Sequence, residues 1–72
     1  MTLRTLMQSG IHFEGFINIQ CWETEDNATV YCKGCNTELD IPEHILDREI
    51  RYIFPYTRMD GTAAFCIEIA EE

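Results

Sequence analysis

The chain has 72 residues, enough for one domain (1–72) built on a single core. Thirteen Asp and Glu stand against five Lys and Arg, a formal net charge of −8. That field repels phosphates, so direct contact with nucleic acid or with an anionic membrane is not expected, whereas a protein partner with a basic surface is.

The hydrophobic share, 46%, is that of a globular domain rather than a disordered segment. No apolar run approaches the roughly 20 residues that span a bilayer. Met1 to Gly10 lacks the basic and apolar stretches of a secretory signal, and Thr2 excludes the glycine that myristoylation needs. These readings give a cytoplasmic location, where the four cysteines stay thiols or bind metal. Asn27-Ala28-Thr29 matches a glycosylation sequon, but without secretion it reads as a turn.

In chain order, Leu3, Leu6 and Met7 fall at helical spacing between Thr2, placed to cap, and Gly10, placed to stop. So short a helix must dock to persist. From Ile11 the period becomes two: Ile11, Phe13, Gly15, Ile17, Ile19 and Cys21 share one face of an expected strand. Gly15 leaves room there for a neighbouring backbone or ring. A polar turn over 23–27 leads into a second strand over 28–33, and the short connection makes an antiparallel hairpin. Pro42 to Leu46 reads as a helical turn with Pro42 at its first position. A third strand over 49–56 places Ile50, Tyr52, Phe54 and Tyr56 in phase. Asp60-Gly61 turns it into a fourth over 62–70, with Phe65, Ile67 and Ile69 in phase.

The sum is an α+β domain, mostly β: a four-stranded antiparallel sheet from two hairpins, with short helices over one face. A small closed barrel is the alternative. The expected core is Phe13, Ile17, Ile19, Val30, Ile50, Tyr52, Phe54, Phe65, Ile67 and Ile69.

Cys32-Lys33-Gly34-Cys35 has the spacing of a zinc knuckle, and Cys21 and Cys66 complete four ligands. Alternation, however, puts Cys21 in phase with Ile19 and Cys66 out of phase with Ile67, so the two thiols face opposite sides of a regular sheet. No metal ligand set is therefore expected, and a zinc-stapled structural domain stands as the alternative. A redox role would need the first Cys at a helix N-terminus, but the motif ends a strand. His44 with Asp40 or Asp47 has the spacing of an acid–base pair without a nucleophile, and Ser9 is the only serine. His12 has no identifiable role. No catalytic residue, cofactor or enzymatic activity is expected.

The remaining signal lies opposite the core. Phe16, Trp22, Tyr31 and Ile53 fall out of phase with the core set, together with Pro55, Ala64 and Cys66. They form either an apolar interface or a face covered by the N-terminal helix. Glu23, Glu25 and Asp26 follow Trp22 directly and supply an acidic rim. The expected function is a non-enzymatic protein-binding module, an accessory or inhibitory factor. Nucleic-acid mimicry against a nuclease or DNA-binding protein is one form of it, and a homodimer is left open.

Overall fold

The computed structural model describes residues 1–11, 13–22, 27–35 and 39–71. Helix α1 (Leu3–Gln8) is followed by strands β1 (Phe16–Trp22) and β2 (Ala28–Cys35), a 3₁₀ turn at Glu43–Ile45, and strands β3 (Ile50–Thr57) and β4 (Ala63–Ile69). The strands form one open four-stranded sheet in the order β2-β1-β4-β3. The hairpins β1–β2 and β3–β4 are antiparallel, and they join through β1 and β4, which run parallel. This arrangement puts the two isoleucine-rich strands at the centre and makes edges of β2 and β3. The chain must then travel from one edge to the other, and it does so across one face, carrying the 3₁₀ turn with it.

That crossing closes the core. Leu3 and Leu6 of α1, Ile45 of the 3₁₀ turn, and Ile17, Ile19, Cys21, Ile67 and Ile69 of the central strands are all buried together. Leu39, Ile41 and Leu46 of the crossing pack against them. Each buried aliphatic side chain contributes about 1.5–3 kcal/mol, which is how six helical residues hold their place.

Polar bonds aim the helix. The Thr2 side chain accepts from the Thr5 amide at 3.2 Å, a true N-cap. The amides of Leu3 and Arg4 donate to the carbonyls of Arg48 and Leu46 at 3.1 and 2.7 Å, so the open N-terminal turn is satisfied by the crossing itself. The Arg4 guanidinium spans Asp47 at 2.8 Å and Glu43 at 2.9 Å. Its hydrogen bonds hold the Asp47 carboxyl below the ordinary aspartate range.

The outline of the expected fold holds, but the start of β1 and the faces of β2 and β3 do not. β1 begins at Phe16, not Ile11. Gly15 breaks the run with φ +99°, and a Cβ there would lie 3.3 Å from the Ala63 carbonyl oxygen. Ile11 is consequently exposed.

In β2 the register steps from Ile19↔Cys32 to Gln20↔Val30, leaving Tyr31 unpaired as a bulge. Val30, expected in the core, is exposed on the far side, and Tyr31 packs against the core instead. In β3 the register skips Arg51 between Ile50 and Tyr52. Ile53 then pairs with Ile67 on the helix-covered side, while Tyr52 and Phe54 pair with Glu68 and Cys66 on the other. Tyr52 and Phe54 are therefore exposed, at 56% and 40%, where regular alternation expects them buried. An extra residue inverts the phase of the strand, because side chains alternate every residue.

Candidate binding face

The molecule measures 33 × 32 × 17 Å. Sheet and covering layer sit about 10 Å apart, so the thin dimension holds the sheet and the α1 layer and nothing more. Among the described residues, no element covers the opposite sheet face. Phe16, Asn18, Gln20 and Trp22 line it from β1, and Tyr52, Phe54 and Tyr56 line it from β3. Ala64, Cys66 and Glu68 of β4 run between those rows.

A shallow groove crosses this face, with Trp22 and Val30 on one side and Phe54 and Tyr56 on the other. Asn18, Gln20 and Cys66 complete its lining. The floor is internally bonded: Asn18 Nδ2 donates to Gln20 Oε1 at 2.7 Å and to Cys66 Sγ at 3.7 Å. Burial pushes the Cys66 thiol up from its ordinary value, with the Glu68 charge adding to it. A raised thiol pKa lowers the thiolate fraction of Cys66 at neutral pH. Glu68, next along β4 on this face, is the one charged residue buried among the described residues, at 6% exposure.

Cations frame the aromatics. The Arg58 guanidinium lies 3.9 Å from the Phe16 ring centroid, and Arg51 lies 5.6 Å from that of Tyr52. A second depression, between Phe16, Lys33 and Met59, adjoins Arg58.

Of the expected patch, Phe16 and Trp22 are where alternation puts them, and Trp22 is 42% exposed. Tyr31 and Ile53 are not. The Tyr31 hydroxyl accepts from Arg48 Nη1 at 2.8 Å, and the same guanidinium donates to the Ala70 carbonyl at 2.7 Å and to Cys21 Sγ at 3.3 Å. Tyr31 is a strut of the covered side. Glu23, Glu25 and Asp26 lie outside the described residues, as do His12 and Glu38. Periodicity missed Val30, Tyr52, Phe54 and Glu68. The Tyr52-Ile53-Phe54 run, apolar on both faces, is the one sign in the sequence that β3 has no dry side.

The cysteines are dispersed. Cys21 is paired into the core, whereas Cys66 is on the bare face, the opposition that alternation implies. Cys32 registers with Ile19 and Cys35 with Phe16, so the C-x-x-C pair straddles the sheet along an extended strand rather than closing a knuckle. No helix among the described residues is long and apolar enough to cross a membrane. Comparison of the chain with protein-family models, with curated proteins and with solved structures finds no match.

Proposed function

We propose that this is a non-enzymatic protein-binding module that acts inside the cell as an accessory or inhibitory factor, docking a basic-surfaced partner on its bare sheet face. The observation that carries the reading is the uncovered aromatic row of Trp22, Phe54 and Tyr52 on a sheet whose other face holds the buried core. Aromatic side chains left in water on a rigid strand retain the burial energy that binding releases, and their rigidity keeps the ordering cost low. The edges support docking on the face rather than strand addition. β2 carries a bulge and Lys33, and β3 carries a bulge and Pro55, which has no amide to donate.

A photo-crosslinking residue at Val30, compared with one at Glu43 on the covered side, tests the reading in the native cell. A discrete crosslinked protein is expected from Val30 only, lost when Trp22→Ala is added. Equal crosslinking from Glu43, or none from Val30, overturns the bare face as the binding surface.

A further inference from the structure

We draw no further inference here: the strongest candidate, the groove between Trp22 and Phe54 on the uncovered sheet face, belongs to the binding face already described, and nothing in the structure shows what covers it.

Discussion

Ile67 and Ile53 are cross-strand neighbours with unequal consequences. Ile67 lies in the sealed core, whereas Ile53, on edge strand β3, keeps 43% of its surface in water. Ile67→Ala removes packing on every side and leaves a cavity, so it should cost about 2–5 kcal/mol. Ile53→Ala at a half-wet edge should cost about 1 kcal/mol or less. Urea unfolding of the pair measures the difference, and comparable losses would mean that Ile53 is as enclosed as its partner. The thiols give a second residue-scale measure of the same map. Cys35 is exposed on β2, Cys32 is partly covered, and Cys21 and Cys66 are buried. Burial also pushes the thiols of Cys32 and Cys66 up from their ordinary value, which lowers their thiolate fraction at neutral pH. An alkylating reagent on the native protein should therefore label Cys35 first, with Cys66 protected until global unfolding. Early labelling of Cys66 would show that the groove floor opens on its own.

At the scale of elements, the design turns on how α1 and the two bulges are held. Arg4 latches α1 to Asp47 and Glu43 across the chain. Because the folded Asp47 pKa is depressed, its contribution is complete above the ordinary aspartate value near 3.9 and disappears as pH falls through the depressed value. Asp47→Asn should therefore lower the melting temperature slightly at pH 7 and not at all at the acid end. An equal decrement at both would point to geometry rather than charge. Helix α1, both hairpins and the central isoleucines were legible in the sequence, because caps, Asp-Gly turns and period-two patterns are local signals. The faces of β2 and β3 were not. Tyr31 and Arg51 are ordinary strand residues, and what makes each a bulge is the register of the strand beside it, which no window of sequence contains. The error fell on the candidate site, since an inverted phase exchanges core and surface: Ile53 and Tyr31 left the patch, and Tyr52, Phe54 and Val30 entered it. Tyr31→Phe distinguishes the two assignments directly. It deletes a hydrogen bond from a charged donor, worth about 1.5–3 kcal/mol, and should lower stability while leaving partner affinity unchanged.

For the whole molecule, the proposed binding role would divide the work between charge, which acts on approach, and shape, which acts on retention. One face of the sheet holds the buried core, and among the described residues no element covers the other. The field of a −8 chain acts over distances set by the Debye length, so in the proposed role it would govern how often a basic partner arrives. Desolvated aromatic contacts act only after arrival, so in the proposed role Trp22 would govern how long the partner stays. Glu23, Glu25 and Asp26 follow Trp22 in the chain and assign the steering to the sequence beside the anchor. Reversing these three charges should lower the association rate by about tenfold at low ionic strength, with little change in dissociation. The loss should vanish in about 0.5 M salt, where wild type is slowed to the same rate. Trp22→Ala should do the opposite, raising the dissociation rate by at least about thirtyfold, the kinetic counterpart of roughly 2 kcal/mol, at every salt concentration. Surface plasmon resonance at two salt concentrations separates the two effects on one partner. If Trp22→Ala dissociates like wild type while charge reversal and salt each abolish binding, the bare face is not the anchor, and the acidic surface alone, as in a nucleic-acid mimic, becomes the account of how this domain binds.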